Sequence, residues 1–389
     1  MNGSNVIVAG FIPLLDCAPL VVAAERGFAA REGIDLTLVR ETSWANIRDR
    51  VVVGHFDVAH MLGPMALASP LGIGHLKVPI VAPFSFGLGG NAITVSLALW
   101  QRMSRHGAGV NASPAVQGAA LQKVVSERDR SGRTPLTFAM VYPFSSHNYL
   151  LRYWLASVGI DPDQDVRLVV LPPPLLVDAM REGQIDGFCV GEPWNSLAVS
   201  VGVGCIVAAT AAIWKHSPEK VLACRQEWAE RNPSRLHALL RALSKSAQWC
   251  AVRENHAELA RLLSDPRYVG APADILARGL SNELGLIPAG ALKSIPLFYE
   301  VAGHHANYPL RSHALWFYSQ MVRWAQVEYS ETLQAAATST YRPDIYYAAL
   351  QLDHHELASA RSEGTGFFDD IVFDPSDLRG YLSTLRGPS

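Results

Sequence analysis

The chain has 389 residues, 49% of them hydrophobic and 17% charged, with a formal net charge of −2. That length suits two lobes better than one compact domain, and the apolar fraction excludes wholesale disorder. The balance of charge speaks against a nucleic-acid binder, which carries a basic face.

The N-terminal stretch MNGSNVIVAGFIPLLDCAPL has no Lys or Arg before Arg26, and Asp16 interrupts its apolar run. A secretory leader needs a basic start, an apolar core and a small-residue cleavage site. Leu15-Asp16 before Cys17 is a poor lipobox. No apolar run approaches the roughly 20 residues of a membrane span. The expected location is therefore cytoplasmic, with no membrane span. The cysteines agree: Cys17, Cys189, Cys205, Cys224 and Cys250 are odd in number and form no CxxC. That pattern argues against a disulfide framework and a zinc site and suits a reducing compartment. Cys189, Cys205 and Cys224 lie in apolar runs and read as small buried hydrophobes.

In chain order, residues 6–12 read as a strand, 18–30 as a helix and 34–39 as a half-buried strand. Ser43 is a candidate N-cap for a helix running to about residue 53. A short run at 56–61 precedes a Gly63-Pro64 helix start, and 79–83 is strand-like again. Strands alternating with helices imply βαβ units and a mostly parallel sheet. The glycine-rich turn at 87–90 leads into a β-type segment ending at residue 96, followed by a polar linker. The longest basic run, 128–133, is interrupted by Asp129 and reads as a solvated loop.

A second α/β series then begins. Its strands are expected at 136–140, 166–171, 187–190 and 204–209, with helices at 145–157 and 172–182. Residues 221–224 suit a crossover strand. Helices follow at 233–252, 256–263, 271–283, 310–328, 330–337 and 341–348, then a loop-rich tail after Gly364. The expected organisation is a discontinuous first lobe, 1–95 plus 222–389, and a second lobe, 96–221. Such a two-lobed α/β fold, like that of type II periplasmic binding proteins, takes its ligand in an interlobe cleft at the carboxyl ends of the strands.

Catalytic signatures are missing. There is no HExxH, P-loop or GxSxG, and the cluster at 87–90 is not GxGxxG. The pairs His304-His305 and His354-His355 lie in polar, loop-like sequence, and adjacent side chains rarely face one metal. The reading is a binding protein, not an enzyme, with no metal and no cofactor.

Polar residues near the ends of predicted strands are the candidates for binding. Trp44 and Asn46 lie in ETSWANIRDR, His147 in FSSHNYLLRYWL, and Glu192, Trp194 and Asn195 in GFCVGEPWNSLAV. Lys215, His216 and Lys220 lie in IWKHSPEKVLAC. Each has a plain structural alternative: cleft wall for the Trp, a helix cap for His147, a solvated charge for Lys220.

Read together, DGFCVGEPWN, IWKHSPEK and SSHNYLLRYWLASVGIDPDQDVRLVVLPPP resemble the nitrate- and bicarbonate-binding proteins of ABC importers, the NrtA/CmpA-like family. They also resemble its cytoplasmic relatives, the NasS-type nitrate/nitrite sensors. The resemblance runs from about Gly10 to at least Trp324 and implies that Trp44, Asn91, His147 and Lys220 bind the anion. Asn91 stands where the family carries an amide, at times Gln, and the shorter side chain alters reach. Lys220 would supply positive charge, and the helix start at His147 already favours an anion. Asn46, Glu192 and Trp194 are expected to shape the site from behind.

Nitrate is planar, monovalent and weakly hydrated, and its site needs in-plane donors with about one compensating charge. The resemblance further implies a partner, an ANTAR-type RNA-binding antiterminator of the NasT class, so that the sensor itself touches no nucleic acid. The competing readings are a binding component of a nitrate/bicarbonate importer and an enzyme of pyrimidine or thiamin-precursor biosynthesis on a similar scaffold.

Overall fold

The computed structural model describes residues 5–73, 77–132, 134–352 and 366–385. The chain divides into two compact units. Unit 1 is Met1–Leu88, Pro218–Ala273 and Glu300–Glu363; unit 2 is Gly89–Ser217, Asp274–Tyr299 and Gly364–Ser389. These limits differ from the expected 1–95 plus 222–389 and 96–221, because strand pairing decides them. Asn91–Ser96 pairs with Gly187–Gly191 and Gly204–Ala209, which places it in unit 2. The hairpin of Glu283–Gly285 and Leu292–Ser294 also joins unit 2, where the Leu286 carbonyl accepts from Ile206 N at 2.9 Å.

Unit 1 is built on a five-stranded sheet in the order Asp35–Arg40, Val6–Phe11, Val58–Leu62, Lys220–Arg225, Ile80–Ser85. The first three strands are parallel, and Lys220–Arg225 runs antiparallel to both its neighbours. The sheet of unit 2 has the order Gly204–Ala209, Asn91–Ser96, Gly187–Gly191, Leu136–Met140, Val166–Val170. Its last three strands are parallel, and Asn91–Ser96 is antiparallel to both neighbours. A mostly parallel sheet was the expectation. Four of the five strands in each sheet do run the same way; the exception in each is the strand by which the chain enters that unit anew, Lys220–Arg225 and Asn91–Ser96.

The apolar helix Ala18–Glu25 is buried against Pro233–Ala251, and Ser246 Oγ donates to the Pro19 carbonyl at 2.7 Å inside that contact. The single helix expected over 18–30 is two, Ala18–Glu25 and Phe28–Arg31, interrupted by Gly27 in a left-handed conformation (φ 70°). The expected polar linker is also helical, forming Leu97–Arg105 and Pro114–Arg130. Their N-caps are Ser96, accepting from Leu99 N at 3.2 Å, and Ser113, accepting from Val116 N at 3.4 Å. The basic run therefore begins inside a helix, with Arg128 and Arg130 in its last turn where cations favour the dipole; Arg133 lies outside the described residues. His304 and His305 open a short helix, His304–Asn307, not a loop; His354 and His355 lie outside the described residues. The tail carries a helix, Leu378–Thr384, capped by Asp377. Among the described residues, no helix is long and apolar enough to cross a membrane.

Candidate functional site

In unit 1 the polar residues converge at the strand Lys220–Arg225. Its first residue, Lys220, pairs with Leu62 of Val58–Leu62, and its carbonyl accepts from Phe86 N at 2.9 Å. Two positions along, Leu222 pairs with His60. Side chains alternate along a strand, so positions two apart share a face of the sheet. Asp16 arrives from the turn Leu15–Cys17 that follows the first strand.

The resulting cluster is buried: Lys220 and His60 are 0% exposed, Glu219 4% and Asp16 7%. Lys220 Nζ lies 2.7 Å from Asp16 Oδ2 and also contacts Glu219. His60 Nε2 lies 2.9 Å from Asp16 Oδ1. Burial alone would push the Asp16 carboxyl up, but Lys220 and His60 together hold it well below the usual carboxylate range. Burial alone would lower the Lys220 ammonium, but Asp16 and Glu219 hold it above its usual value. For His60 burial prevails over the pull of Asp16, and its pKa is lowered, which keeps the ring neutral at pH 7.

Trp44 opens the helix Trp44–Val52, whose N-cap Ser43 accepts from Ala45 N at 3.2 Å. The Trp44 ring stands 5.8 Å from that of His60, and His60 meets the Phe86 ring edge-on at 5.2 Å. Trp44 is 1% exposed, and its indole Nε1 is buried without a hydrogen-bond partner among the described residues. A buried donor is nearly always paired, so a native structure that leaves one open calls for an explanation. Asn46 is engaged locally, donating to Glu41 Oε2 at 2.9 Å, while Arg50 approaches Glu41 Oε1 at 3.0 Å.

The other two expected anion-binding residues belong to unit 2. Asn91 opens the strand Asn91–Ser96 opposite Gly191, is fully buried, and its carbonyl accepts from Thr210 Oγ1 at 3.1 Å. His147 is the second residue of the helix Ser146–Ser157 and is fully buried. It does not cap that helix: Ser145 does, accepting from Asn148 N at 3.0 Å and donating to the Tyr142 carbonyl at 2.7 Å. The capping alternative for His147 is thereby removed.

Behind these residues, Glu192 follows the strand Gly187–Gly191 and its backbone N donates to the Gly90 carbonyl at 2.9 Å. Its carboxyl is pushed up to about 7 by burial, against the hydrogen bonds of Ser196 and Asn195. Asn195 is a stitch in the sheet. It accepts from Thr94 Oγ1 at 2.8 Å and donates to the Val190 carbonyl at 2.8 Å. Trp194 begins the helix Trp194–Ser200 and is 7% exposed.

Unit 1 thus holds Trp44 and Lys220, and unit 2 holds Asn91 and His147. Sequence reasoning missed Asp16, His60 and Glu219. Asp16 was visible as the charge that breaks an apolar run, Glu219 as the neighbour of Lys220, and His60 as the polar residue inside VAHML. Lys220 is not a spare positive charge, because two carboxylates already face it. No group of three or more His, Cys, Asp or Glu placed to hold a metal ion occurs among the described residues.

The NMT1-like family matches residues 4–264 of this chain. The nitrate/nitrite binding protein NrtA of Nostoc sp. PCC 7120 is 33% identical over 97% of the chain and 84% of its own length. The nitrate import ATP-binding protein NrtC of Synechocystis sp. PCC 6803 is 37% identical over 96% of the chain, which spans 54% of that relative's length. Among solved structures, the periplasmic nitrate-binding protein NrtA from Synechocystis PCC 6803 superposes with a TM-score of 0.89 at 28% identity, covering 98% of this chain and 99% of that one. The two-unit α/β fold is accordingly that of the periplasmic binding proteins. By family match and by homology to the NrtA proteins over nearly its whole length, the chain belongs to the NMT1-like family.

Proposed function

We propose that the chain binds a small monovalent oxyanion, nitrate or nitrite, and does no chemistry on it. In this reading it is a cytoplasmic sensor that holds an ANTAR-type antiterminator of the NasT class and releases it when the anion binds. One observation carries the anion reading. The buried indole N–H of Trp44 has no acceptor among the described residues, and it stands beside the His60–Asp16–Lys220 group. A bare oxyanion satisfies such a donor without bringing one of its own. NrtA proteins, which bind nitrate by name, supply the choice of anion. The odd set of five cysteines suits the reducing compartment of the sensor reading.

The second reading is an importer component delivering nitrate or bicarbonate to a permease, favoured by the import and transport functions in the relatives' names. The first test is calorimetric titration of the purified chain with nitrate, nitrite, bicarbonate and chloride, repeated on Trp44→Phe. Nitrate or nitrite is expected to bind, and Trp44→Phe to weaken binding by about 1.5–3 kcal/mol, the worth of a hydrogen bond to a charged group. Binding unchanged in Trp44→Phe would remove the indole from the site; no heat with any of the four anions would remove the anion reading itself.

A further inference from the structure

The charges in unit 1 do not suit a second anion as they stand. Lys220 faces two carboxylates, Asp16 at 2.7 Å and Glu219 in contact, and burial lowers the His60 pKa, which favours its neutral ring. Counted over these four residues, with Asp16 and Glu219 as carboxylates, Lys220 as an ammonium and His60 as a neutral ring, negative charge exceeds positive by one. A monovalent anion seated on the Trp44 indole would add a second, in surroundings that screen charge poorly.

His60 is the group able to cancel it. Its Nε2 is engaged by Asp16 at 2.9 Å, while Nδ1 is buried without a hydrogen-bond partner among the described residues. In the neutral ring that donates through Nε2 to the carboxylate, Nδ1 is a lone pair and opposes an anion. With one more proton it becomes an N–H donor. Nδ1 and the Trp44 Nε1 are open polar atoms on rings 5.8 Å apart.

Among the described residues, the groups recorded around His60 include no other proton acceptor suited to this task. Asp16 and Lys220 face it directly; Glu219 acts through Lys220, and Tyr341 in turn faces Glu219. The helix at 44 and the segment after Ser85 present only rings, Trp44 and Phe86. The charged residues of that helix, Arg48, Asp49 and Arg50, are exposed, at 44%, 58% and 45% of their side-chain surface. Asp16 is held ionised by two partners, and Lys220 already carries its proton.

We propose that anion binding in unit 1 takes up one proton on His60, so that His60 binds the anion as an imidazolium through Nδ1 and affinity rises as pH falls. The inference rests on the anion reading above and extends it to the proton that accompanies the ligand. No bond other than N–H forms: the proton comes from solvent and leaves with the anion.

The test is titration of the full chain with sodium nitrate at pH 7.5 in phosphate, Hepes and Tris, whose ionisation heats differ. The slope of apparent enthalpy against buffer ionisation heat counts the protons taken up. A count near one is expected, with nitrate affinity falling about tenfold per pH unit between pH 7 and 8. His60→Gln keeps a neutral donor toward Asp16 and should reduce the count to zero, with weaker, pH-independent binding. If that variant fails to fold, 15N-histidine spectra of the unmodified chain serve instead, since nitrate should convert one buried neutral ring to imidazolium. Nitrate binding with no proton uptake, or with uptake undiminished in His60→Gln, overturns the inference and leaves the anion reading intact. Failure of nitrate to bind at any pH from 6 to 8 overturns both.

Discussion

Glu192 shows at the scale of one residue how burial sets a proton. Its carboxyl moves from 4.5 to about 7 because it is fully buried, with Ser196 N at 3.3 Å from Oε2 and Oε1 without a partner among the described residues. The folded state then holds a proton that the unfolded chain gives up between those values. A raised carboxyl contributes stability below pH 4.5 that is lost as pH rises to 7, and the loss is on the order of 3 kcal/mol. Glu192→Gln, which cannot ionise, should therefore melt above the parent chain at pH 8, with the gap closing at pH 5. Equal gaps at both pH values in a calorimetric scan would refute the assignment. Asp16 has the opposite sign: its depressed carboxyl contributes stability above pH 3.8 that is lost only as pH falls below it. That difference was not legible in the chain, where both are acids in apolar sequence; Lys220, far from Asp16 in sequence, decides it. Trp44 and Lys220 stood out in the sequence through the resemblance, whereas His60 is fixed to Asp16 by folding alone.

At the scale of elements, residues with strong alternation or clear caps were legible. Ser43 caps the helix expected of it, whereas the helix expected at 145–157 is capped by Ser145 and not by His147. The helix Pro114–Arg130 was not, because its buried side includes Gln117 and Gly118 alongside Ala120, Leu121, Val124 and Val125. A polar and a hydrogen side chain blur an apolar stripe. Gly118 is there for close approach: a Cβ would lie 2.7 Å from Val158 Cγ1 and 3.3 Å from Trp154 Nε1, which donates to the Pro114 carbonyl at 2.8 Å. Gly118→Ala should thus destabilise by about 1–2 kcal/mol despite the better helix propensity of Ala, since crowding in a packed contact costs more. Thermal or urea unfolding measures it, and a stabilised variant would show that the two helices can move apart freely. Strand direction was likewise illegible. Apolar pattern marks a strand but carries no sign of which way its neighbour runs, and Lys220–Arg225 and Asn91–Ser96 are both antiparallel insertions.

For the whole molecule, the sensor reading makes a thermodynamic demand. Release of a partner by an anion requires that the anion prefer the free chain, and the partner must weaken the anion by the same factor. With a NasT-class antiterminator, nitrate is expected to weaken the complex by about 5–150-fold, and the partner to weaken nitrate equally. Measured nitrate affinity that is identical with and without the partner would rule out release and favour delivery to a permease. The two α/β units were legible in outline from the alternation of elements. The sharing of the C-terminal half, with Asp274–Tyr299 and Gly364–Ser389 in unit 2, was not, because it depends on contacts distant in sequence.

The five thiols supply a clock for motion in this chain. All are buried and outside any disulfide, and burial pushes Cys205 and Cys224 up to about 12, so that reaction with a disulfide reagent must wait for the surrounding structure to open. Cys17, Cys224 and Cys250 lie in unit 1, and Cys189 and Cys205 in unit 2. Their labelling rates, separated by peptide mapping, time the breathing of each unit without any engineered probe. A ligand that tightens one unit slows its own set of thiols and leaves the other set to keep the original rate.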